Sequence, residues 1–227
     1  MKKGLTRIFA VLLALVLAMT VSLTALADST PLIYRVSDSE GHEIYMLGTI
    51  HVGDESMYPI RGIDQVLDKC DVVAFELSET EMPLADEEEE DIDLWSLVSE
   101  LLSCVQLGGS KLDDDTLDRM SQIEGLEGIS ALAYFMKPSA LAGTVEVTLM
   151  ENAGVTSEQG VEMYLMQLAR DRGLQIVGLE TAEEQDAALA SGGDALYLYE
   201  VKCVVEDPEG YVEAIRQMLK AWAEGDR

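Results

Sequence analysis

Residues 174–185 read LQIVGLETAEEQ, an apolar stretch that changes within one residue into a helix-starting pattern. Gln175 to Glu180 is rich in aliphatic residues, which is typical of a buried strand. Thr181 to Glu184 fits a capping box, in which a threonine and a glutamate three residues later satisfy the free backbone groups of a helix start. The stretch therefore predicts a strand that leads directly into a helix.

A helix is also predicted before this strand. Apolar residues follow helical spacing from Val161 to Leu168, and Gly173 supplies a stop. A second capping-box pattern, Thr156 to Gln159, predicts where that helix begins. Because helix, strand and helix alternate in proteins with parallel strands, this region favours an α/β fold.

The order of helix and then strand occurs once more upstream. Ile60 to Lys69 has helical spacing and leads into an apolar strand, Val72 to Leu77. Before it, Leu32 to Val36 and Ile44 to Gly48 flank a turn-forming segment, which predicts a β-hairpin. Further helical patterns lie at residues 94–107, 114–123, 130–151 with an interruption at Pro138, and 209–224. The sequence thus predicts an N-terminal β-hairpin, two strands that each follow a helix, and further helices that cover the sheet.

The N-terminus has the pattern of a secretory signal peptide. Lys2, Lys3 and Arg7 precede an apolar run from Ile8 to Met19, and the small-residue tripeptide at residues 25–27 follows. A membrane anchor is the competing interpretation, but the apolar run is short for a bilayer span. We expect residues 1–27 to be removed and residues 28–227 to form one exported domain without stable membrane insertion.

The charge of the chain excludes some partners. It has 43 acidic residues against 15 lysines and arginines, a formal net charge of −28. Such a surface repels nucleic acid, favours solubility and binds divalent cations weakly and without specificity. The run Asp86 to Asp91 lies in a segment near 78–93 that we expect to be a solvated acidic loop.

Three chemically competent side chains follow predicted strands. His51 follows the strand and turn that end at Ile50, Glu76 lies near the end of the strand from Val72, and Glu180 ends the strand from Gln175. Ligands and catalytic groups gather outside the carboxyl ends of strands in helix-covered sheets. The three side chains would therefore meet in one cleft if their strands are parallel neighbours.

One imidazole and two carboxylates form a partial ligand set for a divalent metal ion such as Mn²⁺, Co²⁺ or Zn²⁺, and they are also groups that act as general acid and base. The spacing alone leaves a plainer alternative open. A histidine in a glycine-containing loop is often only hydrogen-bonded, and a glutamate at a strand end is often a cap or a surface residue.

The motifs in their order resemble those of one family. The segments are Gly48-Thr49-Ile50-His51 after the hairpin, Val72 to Ser78, Met136-Lys137-Pro138, Gly160-Val161-Glu162 and the stretch at residues 174–185. Together they resemble the TraB/GumN family, which is similar to the secreted Wnt-cleaving TIKI metalloproteases. The resemblance implies an α/β fold with a mixed β-sheet, in which the N-terminal β-hairpin is present and helices cover the sheet. It also implies a metal-dependent peptidase, with His51, Glu76 and Glu180 in catalytic or metal-binding positions. Some bacterial relatives are linked to limiting a peptide mating pheromone.

The sequence also departs from the family pattern. The resemblance implies a second G-x-x-H motif, but the other histidine of this chain, His42, lies in the hairpin turn. Ser139 stands where tryptophan is common in relatives, and Glu162 where aspartate is common. The leading expectation is a metal-dependent hydrolase acting on peptides. The alternatives are a noncatalytic extracellular peptide-binding protein and an inactive, truncated member of the family.

Overall fold

A computed structural model of the protein describes residues 29–81 and 102–226. Within these residues the elements follow in the order β1 (Ile33–Ser37), β2 (Glu43–Leu47), α1 (Ile63–Leu67), β3 (Val72–Phe75), α2 (Asp114–Met120), α3 (Glu127–Leu132), α4 (Pro138–Asn152), α5 (Val161–Asp171), β4 (Gln175–Gly178), α6 (Ala182–Ala190), α7 (Asp194–Glu206) and α8 (Pro208–Glu224). Short 3-10 helices lie at Glu55–Met57 and Ala133–Phe135. The α/β class is confirmed.

The hairpin forms as the sequence predicts. Strands β1 and β2 are antiparallel, with Ile33 opposite Leu47 and Ser37 opposite Glu43. The turn is fixed by Asp38, whose Oδ1 accepts hydrogen bonds from the backbone N–H groups of Glu40 and His42, each at 2.9 Å. His42 thus takes part in the turn and is exposed there.

The other two strands lie side by side and run in parallel. Val72 of β3 is opposite Gln175 of β4, and Phe75 is opposite Gly178. Antiparallel and parallel pairing are both present, but the hairpin and the β3–β4 pair are separate two-stranded sheets. Both parallel strands end just before the glutamates predicted at their ends, so Glu76 and Glu180 follow the strands at the same edge of the sheet.

Two hydrophobic cores stabilise the chain. The first lies beside the parallel pair and consists of Met57, Ile60, Ile63, Leu67, Phe75, Val155, Val161, Leu165, Met166 and Leu219. The second is built from helices and consists of Met120, Leu126, Ala133, Leu141, Ala142, Val145, Leu149, Val201, Val204 and Val205. The middle helices therefore pack mainly on α7, whereas α5 is the helix that packs on β4.

One predicted helix start is wrong and the other is confirmed. Helix α5 begins after Gly160, with no side-chain cap, because the backbone of Thr156 is paired in both directions with Gly53. The pattern at residues 156–159 therefore belongs to a loop held against the histidine loop. At α6 the capping box is complete, since the hydroxyl of Thr181 accepts from the backbone N–H of Glu184 and the Glu184 carboxylate accepts from that of Thr181.

Helix α8 ties together distant parts of the chain. The carbonyl of Ala223 accepts a hydrogen bond from the backbone N–H of Thr30 at 2.7 Å. The indole Nε1 of Trp222 donates to the carbonyl of Gly48, also at 2.7 Å. This end of α8 thus holds the turn that leads from β2 to His51.

Several predictions concern residues that the structure does not describe. The signal peptide at residues 1–27, the acidic run at 86–91 and most of the helix at 94–107 lie outside the described residues. Among the helices of residues 29–81 and 102–226, none combines the length and the apolar character that crossing a bilayer requires.

Candidate metal centre

The loop that carries His51 is held on both sides by backbone hydrogen bonds. The N–H of Val161, the first residue of α5, donates to the carbonyl of Ile50 at 2.9 Å. Gly53 and Thr156 exchange N–H···O bonds at 2.9 and 3.0 Å. Two anchors flanking His51 therefore set its position relative to the start of α5.

This close approach depends on glycine. A Cβ atom added to Gly160 would lie 2.5 Å from the carbonyl oxygen of His51, and one added to Gly53 would overlap the carbonyl oxygen of Gln159. Both neighbours are backbone atoms that cannot rotate away. The absence of side chains at positions 53 and 160 therefore allows the histidine loop to lie directly against the N-terminus of α5.

Aromatic packing fixes the segment just before α5. The hydroxyl of Tyr58 donates to the carbonyl of Gln159 at 2.6 Å, and its ring stacks on Tyr164 with the ring centroids 4.1 Å apart. Burial raises the pKa of Tyr58 well above its ordinary value, so the phenol remains a hydrogen-bond donor at neutral pH.

Glu162 is the most buried of the polar groups around His51. Its side chain is 5 % exposed, and Oε2 lies 2.6 Å from His51 Nδ1. Its other oxygen, Oε1, accepts from the hydroxyl of Thr49 at 3.2 Å. Glu162 also stands in the first turn of α5, where the helix dipole favours negative charge. Hydrogen bonds to both oxygens and the helix dipole offset the cost of burying this carboxylate.

Glu76 approaches the histidine from the opposite side. Its Oε2 lies 3.6 Å from His51 Nε2, and the two side chains are 46 % and 65 % exposed. One ligand atom each from His51, Glu76 and Glu162 can be chosen so that all three lie within 4.8 Å of one another. One imidazole nitrogen and carboxylate oxygens fit the ligand preferences of Mn²⁺, Co²⁺ and Zn²⁺. The three residues form a group that could hold a metal ion.

Glu180 is a neighbour of this group. Its backbone N–H donates to the carbonyl of Glu76 at 3.0 Å, which joins the two strand ends. Gln185 Nε2 donates to Glu76 Oε2 and to Glu180 Oε1, each at 3.1 Å. The three side chains predicted to meet therefore lie close together, although only Glu76 and Glu180 follow parallel strands, because the hairpin before His51 is a separate sheet. Their catalytic and metal-binding roles stay predictions.

Sequence reasoning missed Glu162 as a site residue. In the sequence, Glu162 belongs to one of the segments that carry the family resemblance and stands where aspartate is common in relatives. A signal was nevertheless present, because Glu162, Leu165, Met166 and Ala169 occupy positions i, i+3, i+4 and i+7 of one helix and all are buried. A glutamate on the apolar face of a helix requires a polar partner, and His51 is that partner.

Residues near the open side of the centre are also paired. Glu79 forms an ion pair with Arg170. Glu81 Oε1 accepts from the backbone N–H of Ala182 at 3.0 Å, and this bond, with one from Ser78, lowers the pKa of Glu81. These contacts hold the segment after β3 against α5 through Arg170 and against the start of α6 through Ala182.

The fold and the site together describe an α/β protein with a candidate metal centre at the carboxyl ends of two parallel strands. A sequence model of the TraB/PrgY/gumN family matches residues 32–227, so the chain belongs to that family. Comparison with curated proteins and with solved structures gave no match.

Proposed function

We propose that this protein is an exported, metal-dependent hydrolase that acts on peptides. The observation that carries the proposal is the arrangement around His51, with Glu162 at Nδ1 and Glu76 near Nε2. Family membership supports the reaction class, since the resemblance noted from the sequence implies a metal-dependent peptidase.

The division of roles follows from burial. The Nδ1 atom of His51 is engaged by the nearly buried Glu162, and a carboxylate in this position fixes the ring and the tautomer of a metal-binding histidine. The Nε2 atom of His51 and the half-exposed Glu76 face the open side and are the residues that would hold a metal ion, with Glu162 as a further carboxylate within reach. A divalent ion bound there activates water and polarises a peptide carbonyl.

Proton transfer falls to Glu76 and Glu180, the carboxylates that are less buried than Glu162. Glu76 and Glu180 lie on the open side of the centre and are linked by Gln185. Either carboxylate has the chemistry to accept a proton from the attacking water and to return it to the leaving amine. The glutamate that does not transfer the proton remains a ligand or a neighbouring charge.

The test is peptide cleavage by residues 28–227 with Mn²⁺, Co²⁺ or Zn²⁺. We expect metal-dependent cleavage of a peptide library that a chelator stops and that Glu76→Gln abolishes. Glu151→Gln, which removes the same charge from an exposed position on α4, serves as the control. Absence of cleavage with every metal, in this chain and in any longer native form, would falsify the hydrolase proposal.

A noncatalytic peptide-binding protein is the second candidate. It is favoured by the fact that both ring nitrogens of His51 already face carboxylates, so the group is satisfied without an ion. This candidate predicts saturable peptide binding that survives both a chelator and His51→Ala. An inactive family member would show neither cleavage nor specific binding.

Export is tested separately from catalysis. We expect the native protein outside the plasma membrane with Asp28 as its first residue. N-terminal sequencing and the intact mass of the protein from its own host decide this. Retention of residues 1–27 would contradict cleavage of a signal peptide.

A further inference from the structure

Gln185 occupies a fixed position above the ends of both parallel strands. It stands in the first turn of α6, and its backbone N–H donates to the carbonyl of Thr181 at 3.0 Å. The capping box of Thr181 and Glu184 and the contact of Glu81 with Ala182 hold the same turn. The side chain of Gln185 therefore starts from a well-supported backbone.

The side-chain amide of Gln185 bridges two carboxylates. Its Nε2 donates to Glu76 Oε2 and to Glu180 Oε1, each at 3.1 Å. A primary amide has two N–H groups, so one nitrogen can serve both acceptors. The two oxygens are consequently no more than twice 3.1 Å apart, a separation at which two carboxylates without a donor between them repel each other.

The oxygen of Glu76 that Gln185 contacts is the one nearest to the histidine. Glu76 Oε2 lies 3.6 Å from His51 Nε2 and also accepts from Gln185. The amide therefore influences where this oxygen points at the candidate metal centre. In the same way it holds Glu180, which lies outside the three-residue group, beside the centre.

We propose that Gln185 is a positioning residue, which keeps the carboxylates of Glu76 and Glu180 together at the metal centre. This inference rests on the metal centre of the proposed function. Some carboxylates do not bind the metal themselves but form a hydrogen bond to a residue that does. Loss of such a carboxylate typically lowers metal affinity or activity about 10- to 100-fold. An amide in the same place also orients the ligand through hydrogen bonds.

Two other glutamines of the chain form hydrogen bonds only within their own helix. Gln167 donates to Asp171 and Gln217 donates to Glu213, each four residues away on the same helix and at 2.9 Å. Gln185 instead reaches across 109 residues to Glu76 and joins two different strand ends. Gln217 is therefore a matched control, because it is an exposed amide that contacts one carboxylate.

The experiment measures the affinity of residues 28–227 for Zn²⁺ and Mn²⁺ by calorimetry, with excess Mg²⁺ to suppress weak binding to the acidic surface. Gln185→Met keeps the length of the side chain without its donors, and Gln185→Glu replaces the amide by a third carboxylate. We expect the dissociation constant to rise about 10- to 100-fold in Gln185→Met, whereas the added negative charge of Gln185→Glu offsets part of this loss. Gln217→Glu and Gln217→Met should stay within about twofold of the unsubstituted protein.

An exchange variant separates positioning from a general structural role. Combining Glu180→Gln with Gln185→Glu restores one amide–carboxylate contact between these positions and the original net charge. We expect it to bind metal at least about threefold more tightly than Gln185→Met, which has the same net charge but no amide between the two positions. A structural role would instead lower the melting temperature without metal in the single variants and give no such rescue.

The outcomes separate this inference from the proposed function. Metal binding without peptide cleavage, combined with weaker binding in the Gln185 variants, would overturn the hydrolase proposal and support the role of Gln185. Equal affinity in the unsubstituted protein and the Gln185 variants would overturn the role of Gln185 alone. Absence of specific metal binding in the unsubstituted protein would overturn both.

Discussion

Two groups of acidic side chains in this molecule are partly withdrawn from water, and they differ in what faces each carboxylate. At the candidate metal centre, Glu162 has His51 at one oxygen and the hydroxyl of Thr49 at the other. Between α4, α7 and α8, Glu146 is hydrogen-bonded to a second acid, Glu200, and to Tyr211. Burial and the neighbouring Glu200 raise the pKa of Glu146 to about 7.

The two groups differ in how the charge of the buried carboxylate is compensated. At the candidate metal centre, two side chains of one loop, Thr49 and His51, compensate the charge of the nearly buried Glu162. In the helical region, the group is half-buried, and two acids share a site where one must remain protonated to bond with the other. The same burial raises the pKa of Tyr211 to about 12, with the charge of Glu146 as the next cause.

The largest expected effect comes from Gly160→Ala, which removes the contact between His51 and Glu162 by moving the backbone. The added Cβ overlaps the carbonyl oxygen of His51, so the histidine loop must shift away from α5. We expect a loss of about 1–3 kcal/mol in the free energy of unfolding and loss of specific metal binding. Chemical denaturation and calorimetry measure the two.

Gly143→Ala is the control for this variant. Position 143 lies in the middle of α4, and a Cβ there meets no atom within 4 Å. Alanine should therefore raise stability by up to about 1 kcal/mol, through its better helix propensity. Equal behaviour of the two alanine variants would show that Gly160 is not needed for close approach.

Glu162→Gln changes the chemistry of the centre without changing its shape. An amide at this position carries one oxygen instead of two, and either His51 or Thr49 loses its acceptor. Weaker orientation of the ring should raise the dissociation constant for Zn²⁺ or Mn²⁺ about 10- to 100-fold. Glu158→Gln, an exposed residue of the preceding loop, should leave the affinity unchanged, and a similar loss there would mean that overall charge decides binding.

Glu146→Gln tests the acidic pair between the helices through the pH dependence of stability. The pKa of Glu146 is raised from 4.5 to about 7 in the folded chain, so the folded state binds more protons than the unfolded state between these values. Stability from this group is therefore present below pH 4.5 and is lost as the pH rises through 7. Glutamine removes the repulsion from Glu200 and should flatten this dependence.

The expected size of that effect is modest because water reaches Glu146. We expect a melting temperature about 2 °C higher than that of the unsubstituted protein at pH 8 and little difference at pH 4.5. Scanning calorimetry across this pH range makes the measurement. An equal gain at both values would assign the effect to packing and would contradict the shared-proton interpretation.

The smallest effect on metal affinity is expected from Thr181→Ala, which removes the side-chain cap of α6. The free energy of unfolding should fall by about 1 kcal/mol. Metal affinity should change less than it does in the Gln185 variants, because the amide keeps its contacts. Ser191→Ala, at the opposite end of the same helix, is the control. A larger loss of metal affinity in Thr181→Ala than in Gln185→Met would show that the position of helix α6, and not the amide of Gln185, orients the carboxylates.

Much of the fold could be predicted because its signals are local. The hairpin, the parallel strands, the capping box at Thr181 and helix α8 each depend on spacing within about twenty residues or fewer. The start of α5 could not be predicted in this way. Thr156 has the right side chain for a helix cap, but its backbone is paired with Gly53, more than a hundred residues away, and tertiary pairing overrides the local pattern.

The site could be predicted in part for the same reason. Glu76 and Glu180 follow parallel strands, and the carboxyl ends of such strands converge by a general rule. His51 follows a strand of the separate hairpin and is placed by backbone bonds of its loop to Thr156 and Val161. Glu162 lies on helix α5 and Gln185 lies on helix α6. Neither residue follows a strand, so the rule about strand ends does not predict their positions. Their roles become visible only when the distances to His51, Glu76 and Glu180 are known.

The contacts of α8 have a consequence for the order in which the chain can fold. Trp222 holds the carbonyl of Gly48, and Ala223 holds Thr30, across 174 and 193 residues. Contacts of such long range close large loops and slow folding. During synthesis the hydrogen bond from Trp222 to the turn before His51 therefore forms only after helix α8 has been made. A chain translocated before it folds would complete this turn only after it reaches its destination.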